Sequence, residues 1–439
     1  VSDFRLSNGL RVLVAATDGL PLVSARLSFE AGSAEDPAGK AGVASLTAAL
    51  LTQGTADKSA PEIATEIEQL GATVGAGSGV DFSNVYANAP ADVFPQAIAL
   101  MADLVRNPAF AGAELERQQA QTLDGLRVAL SQPGTIASQT VARVIYGGAP
   151  YGAPSGGTVN SIPAIDRDDV AAFHRSYYRP SEATLVFSGK ITPAEARVLA
   201  QQAFGDWRNP VDASATVARP GAALSPRVIV IDQPGAGQAA VVAAIRGVSR
   251  TDADYFPLTV GNTLLGGGFS SRLNQEIRIK RGLSYGAGSS LGARQDAGVF
   301  TASAQTRNDA AVEVSDLILA EIASLGETPA TEADLAPRRA TLIGGFGRSL
   351  ETVDGLGGLV ANLALYDLPM SELAAYAGRV RAVTPEQLET AFARHLPVNE
   401  ASLVIVGDAA TFIDALRAKH PDVEVIPLSD LNLDSATLR

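Results

Sequence analysis

The chain has 439 residues, 46% of them hydrophobic, a formal net charge of −13 and a pI near 4.8. That length can bury a large core and exceeds one ordinary domain, and an acidic balance with no long run of one sign argues against nucleic acid or an anionic membrane as partner. Cysteine is absent, which excludes disulfides, thiolate metal sites and a cysteine nucleophile, and no apolar run reaches the roughly 18 residues of a membrane helix.

In chain order, residues 10–14 and 22–29 alternate as strands do. A helix is predicted from Ser59, with Pro61 in its first turn, Ile63, Ile67 and Leu70 on one face, and Gly71 at its end. Residues 80–87 read as a strand, 91–105 as a helix stopped by Asn107-Pro108, and 113–130 and 136–145 as further helices. A strand at 183–188 and a helix at 193–203 close this half.

The pattern is then written again. Arg11-Val12-Leu13-Val14 returns as Arg227-Val228-Ile229-Val230 (227 − 11 = 216), and the alternation of Val23, Ala25 and Leu27 returns in Val241, Ala243 and Ile245 (241 − 23 = 218). Ala113-Glu114-Leu115 returns as Ala333-Asp334-Leu335 (333 − 113 = 220), and the strand at 183–189 as 401–407 (401 − 183 = 218). Nearly constant offsets across both halves indicate an internal duplication. The expected division is a domain at 1–208, a linker at 209–226 rich in Pro, Ala, Ser and Gly, and a second domain at 227–439. The fold class is α+β: two homologous α/β sandwiches, each an antiparallel-rich sheet with helices packed on one face.

Two segments carry a family resemblance. Residues 32–55 read GSAEDPAGKAGVASLTAALLTQGT, and residues 264–291 read LLGGGFSSRLNQEIRIKRGLSYGAGSSL. The chain resembles the pitrilysin-type zinc peptidases, a group that includes insulin-degrading enzyme and mitochondrial processing peptidase. The resemblance runs nearly end to end, through FHRSYYRPSEATLVFSGKITPAEA in the first half and VRAVTPEQLETAF and LVIVGD in the second. In that family the first segment holds His-x-x-Glu-His, two zinc ligands on one helical face with a general base between them.

Counting back from Gly54-Thr55 puts Ser45 and Ala49 at the two histidine positions and Ala48 at the glutamate. The family's third ligand, a downstream Glu, aligns with Gly125, and a second-shell Glu with Gln118; Asp124 lies about 100° away around the helix. The chain has only three histidines, His174, His395 and His420, with no local pair. The expectation is no metal in this chain. The resemblance further implies that Arg278 and Tyr285, seven residues apart after the Gly-rich turn, bind substrate and stabilise the oxyanion of the tetrahedral intermediate. GGGFSS lacks the lysine of a phosphate loop, so no nucleotide site is expected.

Some members of the family are heterodimers in which one subunit carries the zinc and the other the Arg and Tyr. The resemblance therefore implies the second role: a zinc-lacking subunit that acts in trans on unfolded peptide at a partner's zinc site and is inactive alone. A peptide would add as a strand to an exposed sheet edge. The alternatives are a scaffold subunit, as in the core proteins of the cytochrome bc1 complex, and a peptide-binding module. The chain opens on Val1, as after removal of an export signal or a trimmed start, and bacterial pairs of this type are often exported. The expected location is the periplasm, with the cytoplasm as alternative.

Overall fold

A computed structural model describes residues 1–210 and 220–439; part of the expected linker, 211–219, lies outside the described residues. The first half runs β1 (Ser2–Arg5), β2 (Arg11–Ala16), β3 (Leu22–Phe29), α1 (Val43–Leu50), α2 (Ala60–Gln69), β4 (Thr73–Ser78), β5 (Ser83–Pro90), α3 (Phe94–Arg106), α4 (Gly112–Ala129), α5 (Pro133–Tyr146), α6 (Ser161–Ala164), α7 (Arg167–Tyr177), β6 (Ala183–Gly189) and α8 (Pro193–Phe204). The second runs β7 (Val228–Asp232), β8 (Ala239–Arg246), α9 (Tyr255–Leu265), a π-helical turn at Asn274–Lys280, β9 (Ala287–Gly292), β10 (Val299–Thr306), α10 (Ala311–Glu327), α11 (Glu332–Leu350), α12 (Val353–Leu365), α13 (Glu372–Ala382), α14 (Pro385–His395), β11 (Ser402–Gly407), α15 (Ile413–Lys419) and β12 (Glu424–Pro427).

Each half builds a six-stranded mixed sheet, ordered β1-β2-β6-β3-β5-β4 and β12-β7-β11-β8-β10-β9. The central strands β6 and β11 are buried at every residue, which is why they read as unbroken apolar runs rather than alternating ones. The duplication reaches the register of the parallel pair: Leu185 pairs with Val12, and its counterpart Leu403 with Val228. On the other side the register differs, Leu185 facing Leu27 but Leu403 facing Ala243 rather than Ile245. The outermost strand differs as well: antiparallel β1 from the N-terminus in one sheet, parallel β12 from the C-terminus in the other.

The compact units are not the contiguous halves. One unit comprises 1–125, 154–218 and 346–374, the other 126–153, 219–345 and 375–439. The equivalent helices α5 and α12 (353 − 133 = 220) are therefore exchanged. This departs from an expected division at 208 and 227, and its cause is the second face of each sheet. In the first unit Val360, Ala361 and Ala364 of α12 cover Leu13, Ala15 and Val186. Ser188 Oγ donates to Val353 O at 2.7 Å, and Arg26 pairs with Asp354 at 2.9 Å. In the second unit α5 lies against β8 and β11, while Val241, Ala243, Phe300 and Ala302 pack with Leu264 of α9, Ile318 of α10 and Phe392 of α14. Among the described residues no helix is long and apolar enough to cross a membrane.

Candidate functional site

The first unit presents the degenerate ligand positions. Helix α1 begins at Gly42, whose φ of +100° suits glycine. Its first turn is capped from a distance: the Asp36 carboxylate accepts the N–H groups of Gly42 (2.7 Å) and Ala44 (2.8 Å). Burial pushes the Asp36 carboxyl up to about 7, against the opposing effect of those two hydrogen bonds. Ser45 and Ala49, one turn apart, share a half-buried face, and Ala48 is buried. The Ser45 hydroxyl donates to the Ser155 carbonyl at 2.8 Å. Gly125 is exposed on α4 and opens onto free space, as is Asp124 beside it; Gln118 is half-buried. Of the three ligand positions and the general-base position only Ser45 carries a donor atom, and its proton is already engaged. These residues do not fit a zinc ion, which needs three charged or imidazole ligands.

The histidines serve other ends. His174 is half-buried, its Nε2 lies 2.7 Å from the Val105 carbonyl, and its ring stacks on Tyr178. Desolvation lowers it to about 4, so it is neutral and donates. Among the described residues one convergent set could hold a cation, Asp252, Asp254 and His395. There the Asp254 Oδ2 already meets both Arg394 Nη1 and His395 Nε2 at 2.9 Å, so an arginine stands where an ion would be.

The second unit holds the Arg-Tyr pair. Gly266 and Gly267 let the turn after α9 approach its neighbours: a Cβ on Gly266 would fall 2.0 Å from Ser289 N of β9, and one on Gly267 2.6 Å from Thr263 Cα. The turn leads into the π-helical Asn274–Lys280, a geometry that often marks functional sites. Asn274 ties the loops together. Its Nδ2 donates to Gly268 O (3.0 Å) and its Oδ1 accepts Ala287 N–H (3.1 Å), joining the turn to the start of β9.

On this frame the Arg278 guanidinium lies 4.8 Å from the ring centres of both Phe269 and Tyr285. Both rings are exposed, Tyr285 at 88%. Glu276 takes Lys280 and Arg281 (2.5 Å to the latter), and those two cations hold its carboxyl below the usual range. Arg278 is left with no hydrogen-bond or ion-pair partner among the described residues. Its donors, and the Tyr285 hydroxyl, are free. Tyr285 lies two residues before β9, the outermost strand of its sheet. It borders a cavity of about 700 Å³ between α5 and the polar face of β10 (Thr301, Ser303, Gln305).

Sequence reasoning picked out Arg278 and Tyr285, and the structure stacks them together. It missed Phe269, the second ring on Arg278, and Asn274, the tie between loops. Both lie inside the motif, but nothing in its spacing predicts a π-helical turn.

A two-unit duplicated α+β fold with these two segments is that of the pitrilysin–insulinase family. Residues 11–159 match insulinase (peptidase family M16) and 164–342 the peptidase M16 inactive domain. A solved structure of a peptidase M16 inactive domain from Pseudomonas fluorescens is 30% identical, with a TM-score of 0.86 over 92% of this chain and 98% of that one. A protein of Streptomyces coelicolor named as an uncharacterized zinc protease is 25% identical over 407 residues, 92% of this chain and 88% of that protein. A protease from Helicobacter pylori shares the fold at 19% identity, with a TM-score of 0.84 over 92% and 98% of the two chains. This chain belongs to the M16 peptidase family.

Proposed function

We propose that this chain is the zinc-lacking subunit of a heterodimeric zinc metallopeptidase, contributing Arg278 and Tyr285 to a partner's zinc site. The observation that carries the reading is the asymmetry between the units. Helix α1 keeps its shape but offers no metal donors, while Arg278 is held by two rings with its own donors uncommitted. A free guanidinium beside a free phenol can bind a peptide carbonyl and stabilise negative charge developing on it. The strand β9 next to them has an unpaired edge along which an extended unfolded peptide can add.

The scaffold reading has one observation in its favour: Arg278 and Tyr285 already contact each other and could serve only to brace the turn. The test is reconstitution. The purified chain should hold no stoichiometric zinc and cleave no unfolded peptide. Mixed with a pitrilysin-like chain bearing intact His-x-x-Glu-His, it should yield activity that neither shows alone. Zinc bound near Ser45, or a partner fully active by itself, would end the proposal.

A further inference from the structure

Arg294 follows β9 by two residues and lines the same cavity as Tyr285. Its guanidinium lies 5.3 Å from the ring centre of Tyr146 and 5.0 Å from that of Tyr151. The two rings meet edge to face at 5.5 Å, and the Tyr146 hydroxyl donates to Ala297 O at 2.9 Å. Arg246 lies over Tyr146 as well, at 5.7 Å, with Nη2 on Gly221 O at 2.8 Å. Yet the Nη1 atoms of both Arg294 and Arg246 are buried without any acceptor.

Buried Nε atoms of Arg26, Arg179, Arg338 and Arg339 also lack an acceptor, but each of those side chains, like Arg246, reaches one through an Nη atom. Arg294 reaches none, in a chain with 47 acidic residues against 34 basic ones. A buried cationic N–H with no acceptor is costly. Of the two, only Arg294 lines the cavity, and its guanidinium has no hydrogen-bond or ion-pair acceptor among the described residues, so it is placed to take an anion that enters there. The rings fix the guanidinium plane in advance, so little freedom is lost when it closes on a planar two-oxygen acceptor. Access is open as well. On the cavity face β9 presents Gly288, Ser290 and Gly292, opposite Ser303, Thr301 and Val299 of β10, so no large side chain walls off the free edge of the sheet.

We infer that Arg294 binds a carboxylate of the peptide substrate, either an acidic side chain or the C-terminus. The inference rests on the proposed function for taking the ligand to be a peptide, but it is tested on this chain alone. Four versions of one fluorescently labelled unstructured decapeptide are titrated against the wild type: a single Glu or a Gln in mid-chain, each with a free or amidated C-terminus. The peptide with neither carboxylate should bind at least about tenfold more weakly than the one with both, and the two single forms show which carboxylate is read. Arg294→Gln should level all four, and Arg294→Lys, which keeps the charge but not the paired donors, should restore part of the preference. Matched thermal melts exclude misfolding as the cause. Equal binding of all four by the wild type, or a preference that survives Arg294→Gln, overturns the inference. A carboxylate preference here, combined with indifference of the reconstituted enzyme to Tyr285, would overturn only the subunit reading.

Discussion

At the scale of single residues, local pairing decides which cation is available for chemistry. Three basic side chains, Arg278, Lys280 and Arg281, sit on one turn with a single acid, Glu276, which takes the latter two. Arg278 instead rests between two rings, an arrangement worth roughly 0.5–1 kcal/mol at an exposed site, enough to orient the group without occupying its donors. His174 shows the opposite use of burial. Its depressed pKa means that the folded state takes up the proton only near pH 4, whereas the unfolded chain does so near 6.5. Its contribution is therefore intact above about pH 6.5 and lost as pH falls toward 4, by about 3 kcal/mol. Asp36 acts in the other sense, its raised carboxyl pKa favouring the fold at low pH and losing that effect as pH rises toward 7. The two are separated by difference. Urea unfolding of wild type and His174→Gln, which keeps an N–H donor but does not titrate, should show the wild-type advantage shrinking by that amount between pH 7 and 4. A pH-independent gap would contradict it.

Among elements, the strands with strong apolar signatures were legible and the plain ones were not. The expected strands at 10–14, 22–29 and 183–188 stand as β2, β3 and β6, and the Ser59 helix start carries a full capping box with Glu62. Residues 80–87 were read as a strand that in fact spans Ser83–Pro90. The edge strand β4, Thr-Val-Gly-Ala-Gly-Ser, left no pattern to find, because one neighbour and two glycines leave little apolar periodicity. The Gly-rich turn was recognised, but not which glycine matters. Gly266→Ala puts a methyl into Ser289 N, while Gly268 faces open space. Gly266→Ala should cost about 1–3 kcal/mol and loosen β9, with Gly268→Ala close to neutral. Thermal melts with amide exchange across 287–292 would show this; equal effects would refute it.

For the whole molecule, the repeat revealed two equivalent sheets but could not reveal that their helices change places. Offsets report which segments are alike; they carry no record of which copy packs where. The α12 residues that cover Leu13, Ala15 and Val186 come from the other half of the sequence. Fragments 1–208 and 227–439 expressed separately should therefore expose an apolar sheet face and aggregate, and expressed together should yield soluble complex. Two separately soluble, folded monomers would show that the exchange contributes nothing essential.

The role of the chain as a whole rests on whether Arg278 and Tyr285 act on substrate. Replacing Tyr285 with Phe keeps the ring over Arg278 and removes only a hydroxyl that no described residue engages, so assembly and peptide affinity should survive. Loss of one oxyanion donor typically lowers kcat by about 100- to 1000-fold. Arg278→Ala should raise KM and lower kcat together, since it also removes the charge that orients substrate. The most direct measurement is kcat and KM for the pair reconstituted with the zinc-bearing chain, with assembly of each variant checked by gel filtration. A fall of that order in kcat for Tyr285→Phe at nearly unchanged KM is the predicted result; wild-type kinetics from both variants would contradict the account and leave the chain a scaffold for its partner.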